Sequence, residues 1–373
     1  MMKIAVITSI KAPYRTLQLE EICKNNNVDM TVYYTKLGKE DRDWEIKSSN
    51  FFSEINLDRI KFFDKFGTLN TGLKEIVKKN DIIVLGGYEK PTYIFLSLLC
   101  RIYKKKYAII FDGISCDRLN KKENKFKWVI KNLVIKHSSA IWGNGTISKR
   151  YFNEVFKYPI DKIYNQYLTV DGRKIKEIGQ DKERIREDLR KKYGISKSEK
   201  VLHYSGRLVE VKNIKTIIEA LSKINSINIT LFITGDGKLR GDLESLANKL
   251  GVKIIITGFI DIQEELFKHY YVSDVFILPS IYEPWGLVVN EAMYSGLPVL
   301  VSNVCGCSLD LVDGNGYSFN PNDTNELANK LKLLFLDKQI SKKKIHSLEI
   351  INNWNFENSA KSFMEMIKSI FNY

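Results

Sequence analysis

No run in this chain is apolar for long enough to cross a bilayer: the longest, around Tyr93 to Cys100, falls far short of the ~20 residues that a hydrocarbon core demands. The first residues enter a strand pattern (Ile4 to Ile7) with no cleavable signal ahead of it, so the expected location is cytoplasmic. Cysteine is sparse, and its five scattered residues (Cys23, Cys100, Cys116, Cys305, Cys307) argue against a disulfide framework and suit a reducing compartment. Cys305 and Cys307 have only Gly306 between them, a poor zinc spacing with no second ligand pair nearby, and they read as loop residues. The four histidines (His137, His203, His269, His346) show neither metal nor triad spacing, and His203, inside a strand pattern, reads as packed. No metal site is expected. Internal repeats, low-complexity tracts and nucleic-acid reader motifs are also missing.

Acidic residues are in short supply, 44 against 58 Lys and Arg, for a net charge of +14. The imbalance is local. Residues 1 to 172 hold 30 Lys and Arg against 19 Asp and Glu, while the remainder holds 28 against 25. The excess crowds Arg101 to Lys106 and Lys121 to Lys136, the latter interleaved with Phe126, Trp128, Val129, Ile130, Leu133, Val134 and Ile135 in an amphipathic helical pattern. An anionic membrane surface and plain solvation explain that face equally well, and nucleic acid is the weaker reading.

At 373 residues, 44% hydrophobic and 27% charged, the chain has the composition of a folded protein and the length of two domains. Short β-rich runs alternate with helical patterns: Ile4 to Thr8, Met30 to Tyr34, Ile82 to Leu85, Tyr107 to Phe111, Ala140 to Trp142, then Val201 to Tyr204, Asn228 to Thr234, Lys253 to Thr257, Val275 to Leu278 and Val299 to Ser302. That alternation indicates α/β architecture with parallel sheets and helical crossovers. The charged, strandless stretch Gly172 to Lys200 separates the two series. The domains expected are 1–172 and 173–355, followed by a helix over 356–373 with Phe356, Ala360, Phe363, Met364, Ile367 and Phe371 on one face that must be buried.

Chemistry concentrates in the second series. Glu283 and Glu291 bracket EPWGLVVNE, one acid on a loop after an apolar strand and the other two turns into the following helix, so both reach one ligand. An acid set among core-type residues is costly to bury without a partner. Upstream, SGRLVEVKN puts Arg207 and Lys212 after another strand, where a guanidinium fork and an ammonium can neutralise a diphosphate. Helix amides beginning near Gly286 or Leu287 would add to that clamp. Gly235, Gly237 and Gly241 miss the dinucleotide fingerprint by one residue, which weakens a dehydrogenase reading.

The segments over residues 200 to 335 resemble the donor half of GT-B glycosyltransferases, specifically the retaining family 4 enzymes of glycosyl transferases group 1. The resemblance implies two Rossmann-like doubly wound domains facing a cleft, the first for the acceptor and the second for a nucleotide sugar, with the C-terminal helix crossing back to the first. It implies that Glu283 binds hydroxyls of the transferred sugar and Glu291 the ribose hydroxyls. Gly206, Gly235 and Gly286 with Leu287 would lie near the phosphates, and Phe259 and Ile260 would meet the base. A uridine donor is favoured, then guanosine, with no metal or other cofactor. The first half departs from the commonest family pattern. Pro13, Tyr14 and Arg15 resemble a subgroup with this opening, so Lys11, Tyr14, Arg15 and Asp112 become acceptor-side candidates, with Asn144 and Ser148 as secondary ones. The implied activity is transfer of a sugar onto a glycan or lipid-linked glycan, in polysaccharide biosynthesis, in the cytoplasm or at the inner face of the cell membrane. A nucleotide-sugar epimerase or hydrolase on the same fold, and a non-catalytic basic membrane-binding protein, remain as alternatives.

Overall fold

The computed structural model describes residues 1–24, 26–36, 48–60, 67–121 and 124–371; Lys122 of the basic stretch lies outside them. The chain divides into two compact units. Met1–Gly113, Leu119–Leu168 and the terminal helix Phe356–Phe371 form the first, and Ile114–Arg118 with Thr169–Asn355 form the second.

Among the described residues, the first unit holds seven strands: β1 (Met2–Thr8), β2 (Val28–Tyr34), β3 (Ser53–Asn56), β4 (Ile82–Leu85), β5 (Lys106–Phe111), β6 (Ala140–Gly143) and β7 (Ile163–Asn165). They lie in the order β3-β2-β1-β4-β5-β6-β7, all pairs parallel, with Ile7 opposite both Tyr33 and Leu85. β4 and β6 are buried at every position, as strands covered by helices on both faces must be. The terminal helix supplies Phe363, Met366, Ile367 and Ile370 to the cluster containing Ile4, Val6, Val84 and Trp142, and Phe363 meets Trp142 edge-on at 5.0 Å. Gln18 Nε2 donates to Ser359 Oγ at 2.6 Å inside that contact.

The second unit holds six: β8 (Lys200–Ser205), β9 (Ile229–Thr234), β10 (Ile254–Ile256), β11 (Val275–Leu278), β12 (Val299–Ser302) and β13 (Gly316–Phe319), ordered β10-β9-β8-β11-β12-β13, again all parallel. Each sheet reverses direction once, between β1 and β4 and between β8 and β11. Such reversals open a crevice outside the carboxyl ends of the two strands, where α/β proteins bind ligands.

Charge pattern put the domain boundary after residue 172; the units part at Leu168, and the segment Ile114–Arg118 leaves the first unit for the second. The reason is local hydrogen bonding, invisible in composition: the Val304 carbonyl accepts from Cys116 N and from Ser115 Oγ, each at 2.8 Å. Cys305 and Cys307, read as loop residues, are fully buried in the turn that follows. Three strands escaped the sequence pattern, β3, β7 and β13, and all three are sheet edges.

Candidate active site

In the second unit, β8 ends at Ser205 and the chain turns through Gly206 into Arg207. This turn is braced against the end of β9. Leu208 N donates to Asp236 O at 2.9 Å, and Gly235 N donates to Gly258 O at 3.0 Å. Gly235 sits at φ +144°, and a Cβ there would stand 2.0 Å from Gly206 O, so only glycine lets the two loops touch. Arg207 is exposed. Its carbonyl accepts the Tyr204 hydroxyl at 3.0 Å, while its guanidinium meets no hydrogen-bond acceptor or carboxylate among the described residues.

Lys212 ends a short 3-10 turn, Glu210–Lys212, and the following Asn213 adopts φ +54°. Asn213 Nδ2 donates to Pro321 O at 2.8 Å, its Oδ1 accepts from Thr216 Oγ1 at 2.8 Å, and Ile281 N donates to Val211 O at 3.0 Å. The Lys212 turn is thereby stitched to the loop carrying Glu283, and the ammonium of Lys212 pairs with the Glu283 carboxylate, both largely shielded from solvent. The backbone of Glu283 is braced from behind as well. Gly306 N donates to Glu283 O at 3.0 Å, and a Cβ on Gly306 would lie 2.0 Å from Pro284 O.

Gly286, at φ +102°, caps the helix Leu287–Tyr294, whose N-terminus follows directly on the same loop. Glu291 lies inside that helix and is buried. Its Oε2 accepts the Tyr270 hydroxyl at 2.5 Å, and burial pushes its carboxyl up to about 7 against the opposing pull of that hydrogen bond. Trp285 folds back onto Trp354, centroids 4.8 Å apart, and donates Nε1–H to Asn290 Oδ1 at 3.1 Å. Phe259, 78% exposed, follows Gly258 at the end of β10, with Ile260 half-buried beside it. The structure thus puts Gly206, Arg207, Lys212, Gly235, Glu283, Gly286, Leu287 and Glu291 at the carboxyl ends of β8, β9 and β11, with Phe259 and Ile260 at the end of neighbouring β10. Sequence reasoning missed Tyr270, Asn213 and Gly306 as supports; the signal for Asn213 was its place in the same Lys-Asn dipeptide. His203 is fully buried, donating or accepting at Thr234 Oγ1 over 2.9 Å, and burial lowers its imidazole to about 3.

In the first unit, Asp112 follows β5 and gathers three partners. Its Oδ1 accepts from Arg15 and from Gln166 Nε2 (3.2 Å), and its Oδ2 from Tyr14 Oη (3.2 Å). Arg15 also donates to Gln18. Lys11 does not join them; it pairs with Glu54 at 2.9 Å. A cavity of about 310 Å³ at the ends of β1, β4 and β5 is lined by Arg15 and Asp112 together with Gly86, Glu89, Lys90 and Tyr93. Lys90 Nζ donates to Ser9 Oγ at 2.5 Å. Glu89, Lys90 and Tyr93 had no motif to announce them. Asn144 and Ser148 are structural: Asn144 Oδ1 accepts from Leu168 N at 2.9 Å, and Ser148 Oγ donates to Asn144 O at 2.6 Å, both residues fully buried.

Two doubly wound parallel sheets, each with its own switch-point site, define the GT-B class. Residues 185–348, which lie within the second unit, match the model of the Glycosyl transferases group 1 family. Among curated proteins, the chain is 30% identical over 233 residues to the uncharacterized glycosyltransferase MJ1607 of Methanocaldococcus jannaschii, covering 60% of this chain and 59% of that protein. It is 27% identical to the lipopolysaccharide 1,2-N-acetylglucosaminetransferase of Salmonella typhimurium over 50% of this chain and 52% of that one. The chain therefore spans little more than half the length of these relatives. Among solved structures, Anabaena Alr3699/HepE in complex with UDP shares the fold over 99% of this chain and 100% of its own, with a TM-score of 0.75 at 17% identity.

Proposed function

We propose that the chain is a retaining glycosyltransferase that moves a sugar from a nucleoside-diphosphate donor, UDP before GDP, onto a glycan acceptor carried by a lipid. The observation that carries this reading is the exposed, unpaired Arg207 guanidinium standing with the Lys212–Glu283 pair and a helix N-terminus at one switch point. Breaking the anomeric C–O bond builds negative charge on the leaving phosphate, and this charge is what Arg207, Lys212 and the helix amides are placed to receive. Their combined positive charge supports a reaction without a divalent metal. Glu283, freed from Lys212 as the diphosphate takes that ammonium, accepts from hydroxyls of the sugar. Glu291 accepts from the ribose hydroxyls, and Phe259 and Ile260 offer the base an apolar contact. On the acceptor side, Asp112 is held by Tyr14, Arg15 and Gln166 as an acceptor for a glycan hydroxyl.

The lipid part rests on two helices of the first unit. They connect β4 to β5 and β5 to β6, so right-handed crossovers place them side by side on one face of the sheet. Helix Pro91–Ile102 exposes Phe95, Leu98 and Ile102, and helix Lys125–Lys136 exposes Phe126, Val129 and Leu133, each set spaced i, i+3, i+7. Arg101, Lys104, Lys106, Lys125, Lys127 and Lys136 surround them. Apolar stripes framed by cations fit the boundary of an anionic bilayer. Lys131, counted with that basic face, is buried and pairs with Glu89 at 2.8 Å, so it does not contribute. No helix of the described residues is long and apolar enough to cross a membrane.

The test is a panel of nucleotide sugars incubated with the protein, with and without membrane extract, reading nucleoside-diphosphate release. Release from a UDP-sugar, stimulated by extract and unaffected by EDTA, is the expected result. No release from any donor, or dependence on added magnesium or manganese, overturns the reading.

A further inference from the structure

A cavity of about 470 Å³ lies at the opposite end of the second sheet's strands. Ser273 stands just before β11, and Gly296 and Leu297 just before β12, so this cavity opens at the amino ends of the strands. The length of β11 alone, ~13 Å at 3.3 Å per residue, separates it from the carboxyl-end site. Its walls are apolar at Leu297 and Leu348 and aromatic at Tyr271 and Tyr294, while its charge is unbalanced. Lys176, Lys182, Arg186 and Lys344 line it against a single lining carboxylate, Glu183.

These cations are not equivalent. Arg186 is spent on the wall, donating to Ser273 O at 2.8 Å, Tyr271 O at 3.1 Å and Asp274 Oδ1 at 2.6 Å. Lys176 donates to Asn352 Oδ1 at 2.6 Å. Lys182 and Lys344 have no hydrogen-bond acceptor or carboxylate partner among the described residues. Lys344 is half-buried, and desolvation, reinforced by Arg186 and Lys182 and opposed by Asp274 and Glu183, holds its ammonium below the usual lysine range. A partly buried ammonium with no acceptor is an uncompensated cost. Independently, Ser273 is 2% exposed, lines the cavity, and has a buried Oγ with no hydrogen-bond partner. Buried hydroxyls are nearly always satisfied, so one left over beside two unpaired cations marks a place where an anion completes the set.

We propose that this cavity binds a phosphorylated small molecule, with the phosphate between Lys344 and Lys182 and the remainder against Tyr294, Leu297 and Leu348. Two free cations match a dianionic phosphate better than a carboxylate, and the apolar and aromatic wall accommodates a ring or short carbon skeleton. The helix Leu287–Tyr294 runs from the carboxyl-end site to this cavity, and Ser295 at its end donates Oγ–H to Glu291 O at 2.9 Å, so the ligand would touch the far end of the helix that carries Glu291.

Calorimetric titration with glucose 6-phosphate, inorganic phosphate and glucose, each with UDP already saturating, tests this without engaging the carboxyl-end site. The parent protein should bind glucose 6-phosphate, bind inorganic phosphate more weakly, and ignore glucose. Lys344→Met should weaken glucose 6-phosphate by about tenfold or more while leaving UDP affinity unchanged, which also shows that the variant is folded. Lys182→Gln, an exposed change with no packing to lose, should weaken it in the same direction. Failure of the parent to bind either phosphate, or unaltered binding by both variants, overturns the proposal; equal binding of glucose and its phosphate assigns the cavity to the sugar ring and rejects the anion site.

Discussion

Arg207 in the second unit is exposed and its guanidinium has no partner among the described residues, whereas Arg15 in the first unit is buried and spends its terminal nitrogens on Gln18 and Asp112. Both arginines stand at the carboxyl ends of parallel strands beside a topological switch point. The difference separates two kinds of recognition. A cation with no internal partner is available to a ligand's charge; one committed to a carboxylate instead fixes that carboxylate for hydroxyls. On the proposed reading, the second unit receives an anion and the first holds Asp112 still. Their supports differ in the same sense. Around Arg207 the backbone itself makes the site, through Gly235 pressed on Gly206 and Gly306 pressed on Pro284. Around Asp112 the work is done by side chains, Tyr14, Arg15 and Gln166.

The comparison breaks most sharply at Arg207. Arg207→Ala should lower transfer by roughly 10²-fold or more, because it deletes a donor aimed at charge that develops on the leaving group. Lys212→Ala should do the same and also release Glu283. Steady-state turnover with a saturating donor reads the effect. If both variants keep near-parental turnover, the free cation has no role in chemistry and the contrast with Arg15 loses its meaning.

A backbone-built site should be intolerant of a single methyl group. In Gly235→Ala the added carbon would stand 2.0 Å from Gly206 O on a backbone at φ +144°, so the loops must part. Thermal unfolding should show a clear drop in Tm, with UDP affinity falling alongside. Gly241→Ala is the matched control: nothing lies within 4 Å of its Cβ, it sits in the helix Arg240–Leu250, and the change should be neutral or stabilising by up to ~1 kcal/mol. Equal effects from the two variants would mean that the close approach does not define the site.

This division also explains what the sequence could convey. Arg207 with Lys212, and Glu283 with Glu291, were legible as candidates because each pair keeps a fixed spacing within one short segment. Ten of the strands were legible, most of them because buried parallel strands read as near-continuous apolar runs. β3, β7 and β13 were not: they are edges of three or four residues, with Ser53, Glu54 and Asn56 in β3 and Gly316 at the start of β13. A Cβ at Gly316 would lie 1.8 Å from Val299 O, so glycine there lets β13 close on β12. The side-chain site around Asp112 was only half visible, since Gln166 lies 54 residues from it and no short motif can span that distance. Tyr270 reaches Glu291 across 21 residues and was missed for the same reason.

Glu291 gives the comparison a pH signature. Its carboxyl is raised to about 7 by burial, against about 4.5 unperturbed, so the folded state holds a proton that the unfolded chain releases. Stability from this group is therefore fully present below about pH 4.5 and is lost as pH rises to about 7, by on the order of 3 kcal/mol. Ribose hydroxyls donate to the ionised form, so UDP should bind more tightly as pH rises through 7. Glu291→Gln should flatten both trends, in chemical denaturation and in calorimetry. A parent protein whose UDP affinity is constant between pH 5.5 and 8 would show that Glu291 does not meet the nucleotide.

The smallest effect should come from Tyr14→Phe, and it tests whether the two sites are chemically independent. The change removes one hydroxyl that donates to Asp112 Oδ2 at 3.2 Å and leaves the ring, so the packing loss is minimal. Arg15 and Gln166 still hold Oδ1, and the net cost of one such hydrogen bond is about 0.5–1.5 kcal/mol. If Asp112 reads an acceptor hydroxyl, transfer should fall by roughly three- to tenfold through a raised acceptor KM, since a carboxylate free to rotate positions the hydroxyl less well. UDP affinity and slow donor hydrolysis should not move, because Tyr14 and Asp112 belong to the first unit and the proposed donor residues to the second. Asp112→Asn should push the same acceptor KM further while still sparing UDP. A clear loss of UDP affinity in Tyr14→Phe would reverse the assignment, making the first unit's buried cluster part of the donor site.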